Sequence, residues 1–214
     1  MVIALAGHSG SGKDTVHGIL NRNHGLWTRV KNHGLWTRVS IADNVRALLL
    51  ALDPLVEIPH WCSVNKVSGR VDEVERLSLV VNLWGWPEAQ KIPEVRRMLQ
   101  SLGAGARDIL GPDIWLHSVL SRLEGLEGRN AVITDCRYEN ELLTFGFEFD
   151  ALRVWVSRPG VGPLNNHETE QPLERHCDFI LNNDGSLADL ERAVGGMMSW
   201  ADGQEWRFLD GWRG

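Results

Sequence analysis

"MVIALAGHSGSGKDT" (1–15) governs how the rest of the chain is read. "VIALA" (2–6) is a short continuous apolar run, the pattern of a strand buried on both faces. A glycine loop follows at once: Gly7, four residues, then Gly12 and Lys13. A helix is predicted from Lys13 to about Arg22. A loop between a buried strand and a helix turns several backbone N–H groups toward one point, and the helix dipole adds positive charge there. Gly10 and Gly12, flanking Ser11, permit backbone conformations and a close approach that side chains would block. Lys13 can reach β- and γ-phosphates, so the spacing predicts a nucleoside triphosphate site.

The next residue in such loops is usually Ser or Thr. Here it is Asp14, with the hydroxyl one place later at Thr15. A carboxylate beside a triphosphate is repelled unless a cation intervenes. Asp14 is therefore expected to face Mg²⁺, directly or through water. Thr15 is then free to donate to an α-phosphate oxygen.

Downstream, "WTRVSI" (36–41) alternates and predicts a second strand, and "ADNVRALLLAL" (42–52) has helical spacing ending before Pro54. Residues 53–69 read as a loop. Helical patterns follow over 70–84, 93–104 and 112–124, with Pro93 and Pro112 at first-turn positions and Gly85, Gly103 and Gly111 as breaks. "NAVIT" (130–134), "ALRVWVS" (151–157) and "DFIL" (178–181) predict three more strands, with helices over 138–145 and 186–199. Strands separated by helices imply an α/β fold: a mainly parallel five-stranded sheet between helical layers. "NHGLWTRV" occurs twice, at 23–30 and 32–39. Two copies are too few for a solenoid. The second copy is expected to supply the strand and the first to lengthen the loop before it.

With 214 residues, 43% hydrophobic and 23% charged, the chain is ordinary for a soluble domain with a buried core. Its net charge of −6 disfavours a broad nucleic-acid surface, so no direct DNA binding is expected. No apolar run approaches the roughly 18 residues of a membrane span. Cys62, Cys136 and Cys177 are scattered without a C-x-x-C pair or metal-ligand spacing, which suits a reduced, cytoplasmic protein.

Further chemistry gathers around this frame. "AVITDCRYENE" puts Asp135 and Arg137 at a strand's carboxyl end, which faces the ligand crevice in open α/β sheets. Asp135 could hold Mg²⁺-bound water or the acceptor, or merely cap the next helix. Arg137 could bind phosphate. Arg96, Arg97, Arg107 and Trp115 lie in a helical context, where arginine suits phosphate and a tryptophan face suits a base. Salt-bridged surface arginines and a core tryptophan are the alternatives. "SRPGVGPLNNHETEQP" (157–172), with Arg158, His167 and Glu170, has lid-like length. "NNDGSLADL" (182–190) has helix-entry chemistry, and Asn183 or the backbone there could meet an adenine edge. Trp200, Trp206 and Trp212 mark a tail over 199–214 that packs on the body or on a second copy in a homodimer.

Taken together, "GHSGSGKDT" (7–15), "WTRVSIADNVR" (36–46), "VRRMLQSLGAGARDILGPDIW" (95–115), "VITDCRYENE" (132–141), "HETE" (167–170) and "NNDGSLADL" (182–190) resemble the deoxynucleoside monophosphate kinases of tailed bacteriophages. The resemblance implies a single three-layer P-loop kinase domain over 1–214, with a helical acceptor-side insert at 53–126 and a lid at 157–172. It implies transfer of the ATP γ-phosphoryl group, with Mg²⁺, to a deoxynucleoside 5′-monophosphate. Residues 10–15 resemble the ATP phosphate loop. Asp43, Arg46, Arg107 and Trp115 fall on the acceptor side, bordered by His8 and Ser9. Lys13, Asp135, Arg137 and Arg158 fall with the chemistry, His167 and Glu170 with the lid, and Asn183 and Gly185 with the adenine-side turn. "IADNVR" and "HETE" depart from the family's more usual Phe-Ala-Asp-Pro-Leu and His-x-Ser-Glu. Rival readings are a different small-molecule P-loop kinase, such as one acting on dephospho-coenzyme A, a nucleotide-binding ATPase, or a non-catalytic nucleotide-binding protein.

Overall fold

A computed structural model describes residues 1–22, 35–59, 74–126, 128–163 and 172–203. The chain divides into two compact units, one of residues 1–40 and 119–214, the other of residues 41–118.

In the first unit, β1 (Val2–Ala6) is the central strand of a five-stranded sheet. The others are β2 (Thr37–Val39), β5 (Ala131–Cys136), β6 (Leu152–Ser157) and β7 (Phe179–Asn182), in the spatial order β2-β5-β1-β6-β7. Every neighbouring pair is parallel. Ile3, Ala4, Leu5 and Ala6 are fully buried, which is why β1 is apolar throughout rather than alternating. Helices α1 (Lys13–Arg22) and α7 (Leu187–Gly203) pack together and share a core with the sheet that includes Ile19, Leu20, Val154, Val194 and Met197. Each such side chain contributes about 1.5–3 kcal/mol by leaving water. Helix α6 (Glu139–Phe149) packs on β1 and β6. Strands on one side of β1 come from β2 and β5, those on the other from β6 and β7. The order therefore reverses at β1, and the crevice beyond its carboxyl end is where this architecture places ligands. The glycine loop begins there.

Trp36, in the second octapeptide copy, explains how that copy enters β2. It is buried, and its N–H donates to Asn21 Oδ1 at 2.7 Å while its carbonyl accepts from Asn21 Nδ2 at 3.2 Å. His17 Nε2 lies 3.1 Å from the same carbonyl. One asparagine on α1 thus replaces the sheet partners that the first residue before an edge strand lacks. The first copy, at 23–30, lies outside the described residues.

The second unit contains α2 (Ile41–Leu52), β3 (Leu55–Glu57), β4 (Val74–Arg76), α3 (Leu77–Ala89) and α4 (Pro93–Leu110). The boundary between units falls inside α5 (Ile114–Glu124). The unit's core gathers Leu49, Val56, Leu77, Val80, Ile92 and Val95.

Several boundaries differ from the sequence reading. Residues 53–69 are not all loop: β3 pairs antiparallel with β4, Val56 opposite Glu75. A three-residue strand with one buried side chain carries too little periodicity to be seen without its partner. Strand β4 also takes residues 74–76 from the predicted helix 70–84, and 60–73 lie outside the described residues. Gly85 does break α3, at φ 73° and ψ 168°, but a further turn follows to Ala89. Gly103 does not end α4. The helix runs through it at the roughly 1 kcal/mol cost of an internal glycine; its carbonyl accepts a bond from Trp115, and a Cβ there would lie 3.9 Å from Val45 Cγ1 of α2, an ordinary contact. Gly111, at φ 109°, ends it instead. Pro112 precedes α5 rather than opening it.

Replacing Asn21 by Ala strands the buried Trp36 N–H and should lower unfolding stability by about 1–3 kcal/mol in urea titrations. Arg22→Ala, which removes only an exposed ion pair with Glu191, should leave the midpoint where it is.

Candidate functional site

The loop at 7–12 turns its carbonyls toward donors one by one. Lys13 Nζ donates to Gly7 O at 2.6 Å and His8 O at 2.9 Å, and lies 3.4 Å from Ser11 Oγ. The Ser11 N–H also bonds His8 O, at 3.1 Å. Arg158, just past β6, reaches Gly10 O at 3.3 Å, and Asn183, just past β7, donates to Ser11 O at 2.8 Å. In a planar trans peptide the N–H points opposite to the C=O. Occupying the carbonyls in this way leaves the paired N–H groups facing the other direction. Gly7 is required by space as well as by its φ of 141°: a Cβ there would sit 2.5 Å from Val156 O and 2.8 Å from Ser11 Oγ.

Burial pulls the Lys13 ammonium down to a pKa of about 8, with Arg137 adding to the shift and Asp14, Asp135 and Cys136 opposing it. A desolvated cation at the start of a helix gains strongly from an incoming anion. The arrangement suits a polyphosphate.

Two carboxylates stand near this lysine. Asp14 is exposed and pairs with Arg38 Nε at 3.3 Å. Asp135 accepts from the Ser40 hydroxyl at 2.7 Å, and Ser40 is buried at the end of β2. Asp135 is not the helix cap that the sequence left open, because it belongs to β5 and Tyr138 occupies the N-cap of α6. The capping carboxylate is Glu141, 1% exposed, which accepts from the Arg137 N–H at 2.7 Å and the Tyr138 N–H at 3.1 Å. That turn leaves the Arg137 side chain exposed. Among the described residues no group of three or more His, Cys, Asp or Glu could hold a metal. A cation at this site would need ligand oxygens besides Asp14 and Asp135, the habit of Mg²⁺ with phosphates.

His8 is held by an edge-on contact with Trp155, ring centres 5.3 Å apart, while Ser9 and Thr15 are exposed. Asn183 and Gly185, expected at an adenine, have other partners in the structure. Asn183 gives its amide to the glycine loop and its N–H to Ser157 O at 2.8 Å. Gly185 makes room for Asp189, whose carboxylate accepts from the Ser186 N–H and hydroxyl at 2.7 Å to cap α7. Capping, one of the two readings of this turn, is what the described geometry contains.

The second unit carries the residues expected on the acceptor side. Arg46 pairs with Asp43 at 3.1 Å, donates to Gln90 Oε1 at 3.3 Å, and lies 6.0 Å over the Trp86 ring. Arg107 donates to Pro112 O at 2.9 Å, and Arg97 pairs with Glu94 on the surface. Trp115 is a core residue: it is 7% exposed and its indole N–H donates to Gly103 O at 3.0 Å, so its face is not open to a base. Trp86 and Gln90 went unremarked in the sequence, although the helix-breaking Gly85 beside Trp86 was the available signal. Ser40, Arg38 and Glu141 were missed because each acts through a partner distant in the chain or on a turn. His167 and Glu170 lie outside the described residues. Cys136 and Cys177 are free thiols, the latter pushed up to about 12 by burial and by Asp178, hence un-ionised at neutral pH.

An anion bound beside Lys13 raises its pKa again. Binding then takes up a proton above pH 8, so affinity for inorganic tripolyphosphate should fall as pH rises past about 8, by at most about tenfold per pH unit. Lys13→Arg, which stays charged, should lose this contribution, and calorimetry of the two proteins in buffers of pH 7 to 10 measures the difference.

Among the described residues no helix is long and apolar enough to cross a membrane. No curated protein matches the chain. The family model described as deoxynucleotide monophosphate kinase matches residues 76–194, more than half of the chain. The chain thus belongs to the deoxynucleotide monophosphate kinase family of phosphotransferases.

Proposed function

We propose that the chain transfers the γ-phosphoryl group of ATP to a deoxynucleoside 5′-monophosphate, releasing ADP and the diphosphate. The observation that carries this reading is the desolvated Lys13, held on the carbonyls of a glycine loop at the switch point of the sheet. The donor's β- and γ-phosphates replace those carbonyls as partners of the ammonium. An oxygen of the acceptor monophosphate attacks the γ-phosphorus, and the bond to the β–γ bridging oxygen breaks, leaving its electron pair on ADP. The acceptor phosphate's second pKa is about 6, so no strong base is required near neutrality. Catalysis rests on alignment and charge neutralisation.

Magnesium, when bound, neutralises charge on the donor phosphates. Asp14 and Asp135 would hold it, and the Ser40 hydroxyl keeps the Asp135 carboxylate oriented. Arg137 and Arg158 supply cations to the transferring group. Thr15 donates to the α-phosphate. Asp43 and Arg46 hold the acceptor, and the Trp86 ring offers it an aromatic surface. The resemblance of the motifs supports a phage-encoded enzyme that feeds deoxynucleotide synthesis for DNA replication in the host cytoplasm.

The test is ADP formation with ATP and each deoxy- and ribonucleoside monophosphate in turn. Turnover should require a deoxynucleotide acceptor. Lys13→Ala should lose about 2–4 kcal/mol of transition-state stabilisation, by analogy with removing one preorganised donor. ADP release indifferent to the acceptor, or near-normal turnover by Lys13→Ala, would overturn the reading. Asp14→Asn should shift the Mg²⁺ concentration that gives half-maximal rate, and an unchanged Mg²⁺ dependence removes Asp14 from the metal.

A further inference from the structure

We infer that Asn183 is a positioning residue for the glycine loop, acting on the donor's phosphates through the Ser11–Gly12 peptide rather than on its base. The inference rests on the donor-loop reading above. Asn183 is fixed at both ends. Its backbone N–H bonds Ser157 O at 2.8 Å, and its side-chain amide donates to Ser11 O at 2.8 Å. Ser11 is 1% exposed, so water is a poor substitute for that donor. No described peptide bond is cis. With the Ser11 carbonyl held toward Asn183, the Gly12 N–H of the same peptide points the opposite way. That N–H lies immediately before Lys13, where a phosphate loop needs its donors.

The packing is equally specific. A Cβ on Gly12 would come within 2.5 Å of Asn183 Nδ2, and the Gly12 φ of 106° belongs to glycine. The glycine and the asparagine therefore fit each other across 171 positions of chain. Arg158 holds the preceding carbonyl, that of Gly10, from the neighbouring strand end. Of the two, Asn183 makes the shorter bond and is half-buried, whereas Arg158 is exposed and remains able to move onto a phosphate. The bond to Ser11 O takes one of the two amide N–H groups and fixes the plane of the side chain, so the loop sets the orientation of Asn183.

The consequence is measurable without turnover. Asn183→Ala should weaken binding of ATP, GTP and inorganic tripolyphosphate by the same factor, about tenfold. In turnover it should raise KM for the triphosphate and lower kcat while leaving KM for the monophosphate unchanged. Asn183→Asp keeps the shape but sets a carboxylate against the Ser11 carbonyl, and should be weaker still for all three ligands. Thermal melts of both variants identify any that fail to fold, and either folded variant suffices. Should neither fold, Asn183→Ser, which shortens the side chain and keeps it polar, takes their place. Adenine recognition through Asn183 predicts that the ratio of ATP to GTP affinity collapses in the variant, whereas positioning predicts that the ratio is unchanged. Loss confined to ATP, or unchanged tripolyphosphate binding, overturns the inference. Failure of the unsubstituted protein to bind tripolyphosphate would instead overturn the donor-loop reading itself.

Discussion

An ammonium group taken out of water must be surrounded by oxygen, and much of the first unit is arranged around that requirement at Lys13. The two nearest oxygens are carbonyls of Gly7 and His8, six and five residues earlier. They can reach Nζ only if the loop folds back over the start of α1. That fold-back brings Gly7 against Val156 of β6, an approach that leaves no room for a Cβ. It also presents the Gly10 and Ser11 carbonyls to donors at the ends of β6 and β7. The strand order, with β1 between β5 and β6, is what puts those donors beside the loop.

The same arrangement accounts for the loop's electrostatics. Carbonyls are drawn toward Lys13, Arg158 and Asn183; the N–H of the Gly10–Ser11 peptide turns back onto His8 O, and that of the Ser11–Gly12 peptide points away from Asn183. Carboxylates sit at the rim, each restrained by a neutral or cationic partner: Ser40 on Asp135 and Arg38 on Asp14. The lysine is then cationic enough at neutral pH to attract phosphate and desolvated enough to gain from it. Glu141, a buried carboxylate that accepts from two backbone N–H groups, contributes by holding the turn that delivers Arg137.

The second unit is built on packing more than on charge. Gly103 of α4 lies beside Val45 of α2, and its carbonyl accepts the Trp115 indole N–H. Arg46 is held from three directions, by Asp43, Gln90 and the face of Trp86. Its partners come from α2 and from the chain around the end of α3, so the break at Gly85 sets where the ring and the amide stand.

Strand β1, the glycine loop and a parallel sheet of five strands were legible in the sequence. They depend on short-range patterns: an unbroken apolar run, glycines at fixed spacing, and strands alternating with helices. The places of Lys13 at the start of α1 and of Asp135 and Arg137 around the carboxyl end of β5 followed from the same patterns. Only the tertiary structure decided how the polar side chains are shared out. It joined Asn183 to Ser11, Ser40 to Asp135 and Asn21 to Trp36, turned Trp115 into the core, and brought β3 to β4. Each of these depends on residues far apart in the chain becoming neighbours. A hydrogen bond that joins them leaves no periodicity in the sequence around either partner.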